Sequence, residues 1–116
     1  MAVIGASQDP RKYGHRAVLA YLRQGWTVYP VNPSLPSLLG LRCFASIGEI
    51  PVKVDRATLY LPPETGIALL DEIRQKGVGE LWVNPGAESD ALIARAEELG
   101  LSPVQACSIV DIGEVP

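Results

Sequence analysis

The chain has 116 residues, enough for one domain with a single core and too few for two of ordinary size. Hydrophobic residues make up 47% and charged residues 20%, a globular balance, and the net charge of -3 leaves no excess of Lys and Arg for a general nucleic-acid binder. Cys43, Cys107 and the lone His15 lack zinc-ligand spacing, no apolar run is long enough for a membrane span, and the N-terminus has no secretory leader pattern. The expectation is therefore one cytoplasmic domain over residues 1–116, with free thiols, no metal site, no nucleic acid and no membrane contact.

Short apolar runs alternate with stretches of helical period, the pattern of βαβ units and a parallel sheet. Ala2-Val3-Ile4 reads as a buried strand that stops at Gly5. Ala17, Val18, Leu19, Tyr21 and Leu22 lie in a helix that ends before Gly25. Residues 27–31 read as the second strand, with Pro30 expected near its end because proline cannot serve an interior ladder. Residues 32–50 read as irregular, punctuated by Pro33, Pro36, Gly40 and Gly48. Residues 57–61 form the third strand, and Pro62-Pro63 ends it. Pro63 or Glu64 opens a helix carrying Ile67, Leu70 and Ile73, with Gly77 past its end. Residues 80–83 are the fourth strand, Asn84-Pro85-Gly86 a tight loop, 91–99 a helix closed by Gly100, and 103–106 the fifth strand. Right-handed crossovers then predict a Rossmann-like, three-layer α/β fold. Its sheet is five-stranded and mainly parallel, in the order 3-2-1-4-5, with helices on both faces. The ligand crevice lies outside the carboxyl ends of the strands, near the first.

The segment from Gly5 to Gly14 joins the first strand to its helix. Gly5 permits a sharp turn and a close approach of backbone to ligand. The amides that follow and the helix start favour a phosphate. Ser7 adds a hydroxyl, and Arg11 and Lys12 add full positive charge. On the plainer reading Gly5 is only a turn and the basic pair is solvated; the position at the crevice mouth favours the anion site. There is no G-x-G-x-x-G pattern, and Asn32 stands where a dinucleotide dehydrogenase carries an acidic residue for the ribose. That counts against NAD, and an NAD(P)-binding domain of an oxidoreductase stays open as the alternative.

Three segments point to one family: Ala2-Val3-Ile4-Gly5-Ala6-Ser7, Val28-Tyr29-Pro30-Val31-Asn32-Pro33, and Trp82-Val83-Asn84-Pro85-Gly86. The Leu39-Gly40 and Val54-Asp55 pairs and the late Ala106-Cys107 add to them. The pattern resembles the small stand-alone CoA-binding domain proteins and is similar to the CoA-binding domain of the succinyl-CoA synthetase alpha subunit. The resemblance implies a Rossmann-like fold and coenzyme A, or an acyl-CoA, as ligand. Carried over by position, it implies that Gly5, Ala6 and Ser7 meet the pyrophosphate and that Arg11 and Lys12 hold phosphate charge. It further implies that Val31, Asn32 and Pro33 border the adenosine, that Leu61 and Pro62 flank the nucleotide, and that Asn84, Pro85 and Gly86 approach the pantetheine. Two departures stand out. Members often have a short helix ahead of the first strand, whereas here strand residues begin at Ala2. Members often carry a basic residue after Asn-Pro, placed for the 3′-phosphate, whereas here it is Ser34, with Arg42 as a candidate replacement.

The remaining reactive side chains read as structural. Cys107 and Cys43 behave as small buried hydrophobes, His15 as a structural or solvent-facing residue, Tyr21 and Trp82 as core, and Glu97-Glu98 as a solvated helix face. Asp9, Asp55 and Glu64 have no partner in the sequence that tunes them for acid–base work. No nucleophile–base pair emerges, so the expectation is a module that binds a small molecule and has no catalytic residues. Any protein partner is left unnamed by the sequence.

Overall fold

The computed structural model describes residues 1–116. In chain order the elements are β1 (Ala2–Ile4), α1 (Tyr13–Arg23), β2 (Tyr29–Val31), β3 (Ser37–Leu38), β4 (Leu41–Arg42), a 3-10 turn (Ile47–Glu49), β5 (Arg56–Leu59), α2 (Pro63–Lys76), β6 (Glu80–Val83), α3 (Asp90–Glu98), β7 (Pro103–Gln105) and α4 (Ser108–Asp111). Side chains alternate across each strand, and this splits the core into two layers. Ala2, Ile4, Ala57, Leu59, Leu81 and Val83 point to the α2 and α3 side. Val3 points to the α1 side, against Ala17, Val18 and Tyr21. β1 is buried on both faces, as its unbroken apolar run requires.

Five strands form one parallel sheet in the spatial order β2-β1-β5-β6-β7. The α/β class, the parallel sheet and the helices on both faces match the expectation. The strand order does not. The third long strand was expected outside the second; instead β5 pairs with the free side of β1, Ala57 against Ala2. The order is thus 2-1-3-4-5 in the numbering used for the sequence. Two features explain it. Pro30 sits in the middle of β2, and its carbonyl faces outward to accept the Phe44 N–H, so its nitrogen also faces outward, where no ladder bond is needed. β2 is therefore an edge strand. β5 by contrast is buried at every position and needs a neighbour on each side.

The stretch over 32–50, expected to be irregular, holds a small antiparallel hairpin of β3 and β4 and the 3-10 turn. Phe44 forms a parallel bridge with Val31, which covers the outer edge of β2. α4 was not expected; four residues are too few to show a helical period. No helix is long and apolar enough to cross a membrane.

Candidate functional site

A cavity of about 920 Å³ opens at the carboxyl ends of β1, β2 and β5, between the start of α1 and the first turns of α2. Gly5, Ala6, Ser7, Arg11, Lys12, Val31, Asn32, Pro33, Leu61, Pro62, Pro85 and Gly86 all line it. Of the residues expected at the site, only Asn84 is not on its wall.

The β1–α1 loop is packed tightly, and its glycines follow from that. Gly5 has φ +92°, and a Cβ there would lie 2.6 Å from the Tyr60 carbonyl oxygen. A Cβ on Gly14 would lie 2.1 Å from the Gly5 carbonyl oxygen. The chain's own backbone thus demands both glycines; the sharp turn expected at Gly5 is present, and the Tyr60 carbonyl is a further reason for glycine there. The Gly5 and Ala6 amides both donate to the Val31 carbonyl, at 3.2 and 3.3 Å. The Asp9 amide donates to Ser7 Oγ at 3.1 Å. His15 is buried, and its Nδ1–H donates to the Ser7 carbonyl at 2.9 Å, which pins the loop to α1.

The amides of Ser7, Tyr13 and Gly14 donate to no protein acceptor. α1 has Lys12 at its N-cap and no side-chain cap. Unpaired N–H groups, the positive end of a helix and a lysine therefore meet on one cavity wall, an arrangement suited to a phosphate. The two cations differ. Arg11 already donates from Nε and Nη2 to both oxygens of Asp9, at 3.1 and 3.0 Å, on an exposed surface. The Arg11 hydrogen bond in turn holds the Asp9 carboxyl below the usual carboxylate range. Lys12 has no carboxylate partner.

Asn32 fastens the two neighbouring loops. Its Nδ2 donates to the Ala6 carbonyl at 2.8 Å, and its Oδ1 accepts the Ser34 amide at 2.7 Å. Asn84 lies behind the cavity and is buried. Its Nδ2 donates to Thr58 Oγ1 and the Leu59 carbonyl, at 2.6 and 3.0 Å, while Oδ1 accepts the Ser108 amide at 2.9 Å. Ser108 Oγ continues the network to Thr58 and to the Tyr60 hydroxyl, at 2.7 and 3.1 Å. Burial pushes the Tyr60 phenol up to about 12, and its Ser108 hydrogen bond only partly offsets this.

Several wall residues were not anticipated: Tyr60 after β5, Ile47 from the 3-10 turn, and Leu69, Glu72 and Ile73 from α2. Leu69 and Ile73 are four apart on α2 and show in the sequence as an apolar pair; what brings Ile47 opposite them is the path of residues 32–50. Neither Ser34 nor Arg42 lines the cavity; the Arg42 guanidinium stacks on the Phe44 ring, 4.8 Å from its centroid. Cys43 is buried, and burial raises its thiol pKa. Cys107 is half-buried and off the cavity wall. Arg56, at the opposite end of the sheet, is held between Trp26 and Trp82 and bonded to Glu80, Asp111 and the Tyr21 hydroxyl. Burial works against its charge, and those partners outweigh it, so its pKa is raised.

The sheet order, the crossovers and the loop after β1 define a Rossmann-like α/β domain with its cavity at the point where the strand order reverses. Within that class the chain belongs to the CoA-binding domain family: the family model for a CoA binding domain matches residues 1–113. It is similar to ADP-forming acetate–CoA ligase II of Archaeoglobus fulgidus, 37% identical over 89 residues that cover 74% of this chain and 13% of that protein. It is also similar to the alpha subunit of ADP-forming acetate–CoA ligase II of Pyrococcus furiosus, 41% identical over 80 residues, 67% of this chain and 17% of the subunit. The chain thus spans less than a fifth of those ligases. A conserved hypothetical protein from Pyrococcus furiosus matches along its full fold, with TM-score 0.88, 35% identity, and coverage of 95% of this chain and 96% of that one.

Proposed function

We propose that this chain binds coenzyme A or an acyl-CoA in the cavity at the carboxyl ends of β1, β2 and β5, without turnover of its own. The observation that carries this reading is the β1–α1 loop, which turns unpaired amides and Lys12 onto one wall of a cavity of about 920 Å³ in a member of a CoA-binding family. On this reading Gly5, Ala6 and Ser7, the start of α1 and Lys12 hold the pyrophosphate, with Arg11 in a lesser part because Asp9 already engages it. Val31, Asn32 and Pro33 border the adenosine, and Leu61 and Pro62 flank the nucleotide. Pro85 and Gly86 guide the pantetheine, and Asn84 supports that loop from behind. Asn32 also argues against NAD(P): both ends of its amide are engaged by backbone, and no carboxylate stands there to grip ribose hydroxyls. A cytoplasmic location fits the two free thiols.

The test is thermal unfolding with CoA, acyl-CoAs, NAD, NADP and ATP. Ligand at a hundred times its dissociation constant adds about 2.7 kcal/mol, which for a domain of this size raises the melting point on the order of 10 °C. We expect that shift with CoA or an acyl-CoA and not with NAD or NADP. No shift at millimolar CoA in a folded sample overturns the reading. Sustained product formation from an acyl-CoA by the isolated chain overturns the absence of turnover.

A further inference from the structure

The cavity presents opposite chemistry on the two sides of the sheet. On the α1 side it offers Lys12 and unpaired amides. On the α2 side Leu69, with the nearly buried Ile47 and Ile73 behind it, supplies an apolar wall, and Glu72 stands in the same wall. Glu72 is half-buried. Its Oε1 accepts the Gly48 amide at 2.9 Å, which fixes the carboxylate against the 3-10 turn. Oε2 makes no protein hydrogen bond, and no Lys or Arg pairs with the group.

A carboxylate without a cation, in the wall of a cavity suited to an anion, constrains what lies beside it. A facing phosphate brings like-charge repulsion. A wholly apolar group desolvates the carboxylate with no return. The part of the ligand at this wall is therefore uncharged and brings its own donor, and the apolar wall next to it suits the face of a base. We propose that Glu72 Oε2 accepts the exocyclic amino group of the ligand's base, seated against Leu69 with Ile47 and Ile73 behind it, so that Glu72 selects a 6-amino purine over its 6-oxo counterpart. The inference rests on the reading of the ligand as a CoA, whose base is adenine.

Substitution by glutamine gives a directional test. The Gly48 N–H still needs an acceptor, so the glutamine oxygen stays on that side and its NH2 turns to the cavity. A donor then faces the amino group of adenine but matches the oxygen of hypoxanthine. The experiment titrates CoA, and the CoA analogue with hypoxanthine in place of adenine, into the wild type, Glu72→Gln and Glu72→Ala by calorimetry, with thermal unfolding of each. The wild type is expected to prefer CoA by about tenfold or more. Glu72→Ala brings the ratio close to one, and Glu72→Gln brings it to one or inverts it. Lys12→Ala weakens both ligands alike and leaves the ratio in place. Equal binding of the two ligands by the wild type overturns the proposal without any variant, and so does an unchanged ratio in a folded Glu72→Gln or Glu72→Ala. If the wild type binds neither ligand, the CoA reading itself fails; if it binds CoA without discrimination, only the role of Glu72 does.

Discussion

The chain carries the dipeptide Asn-Pro at two strand ends, and the two copies do different work. Asn32-Pro33 follows the edge strand β2. Its amide is half-buried and spans two loops at the cavity rim, bonding Ala6 and Ser34. Asn84-Pro85 follows β6, inside the sheet. That amide is buried, and it ties β5, β6 and α4 together through Thr58, Leu59 and Ser108. The same two residues thus hold a site open in one place and hold the core shut in the other. The difference lies in what surrounds them: at an edge, water shares the polar groups; in the interior, the protein must satisfy every one.

The largest effect should come from breaking the interior copy. Asn84→Ala leaves the Ser108 N–H and the Leu59 carbonyl with fewer partners in a dry setting, and should cost roughly 2–4 kcal/mol. Asn32→Ala should cost roughly 0.5–1.5 kcal/mol, because water replaces its partners, and it should weaken CoA binding by loosening the loop. Urea unfolding of both variants checks this; equal losses would erase the contrast between edge and interior.

A second measurement sharpens the interior side. Tyr60 joins the Asn84 network through Ser108, and its pKa rises from 10.0 to about 12 in the fold. The unfolded chain loses this proton first, so the folded state binds more protons between those values. The contribution is fully present below pH 10 and is lost as pH rises to about 12, up to roughly 2–3 kcal/mol. Tyr60→Phe should flatten the fall in stability over that window relative to the wild type. An identical fall in both proteins means the phenol is not held dry.

The rim allows smaller tests. Lys12 has no acidic partner, whereas Arg11 is paired with Asp9. Lys12→Ala should weaken CoA binding by about fivefold at low salt, with the loss shrinking as salt rises. Arg11→Ala should weaken it by no more than about twofold. Calorimetry at two salt concentrations decides; a larger effect at Arg11 means the ion pair with Asp9 opens to meet the ligand. The smallest effect concerns Arg42, which is stacked on Phe44 away from the cavity. With Ser34 uncharged as well, preference for CoA over dephospho-CoA should stay below about tenfold, and Arg42→Ala should leave it unchanged. A collapse of that preference in Arg42→Ala would show that the hairpin swings in.

Much of this molecule follows from local sequence. Strand runs, helix periods and the glycine and proline stops place the five strands of the sheet and the three longer helices within a few residues, since these signals depend on neighbours in the chain. The turn at Gly5 and the loop that runs from it to the start of α1 were legible for the same reason. Pro30 even carried the clue to the strand order, because a residue without an N–H suits an edge. Tertiary structure alone decided the rest. Which strand covers the free side of β1 depends on pairing between residues far apart, and periodicity is blind to that. The engagement of Arg11 by Asp9, the withdrawal of Asn84 from the cavity wall and the placing of Glu72 in the wall of the same cavity as the β1–α1 loop depend on where side chains end up once the layers pack. Residue type states what a group can bond; only the fold decides which partner, protein or ligand, it is left with.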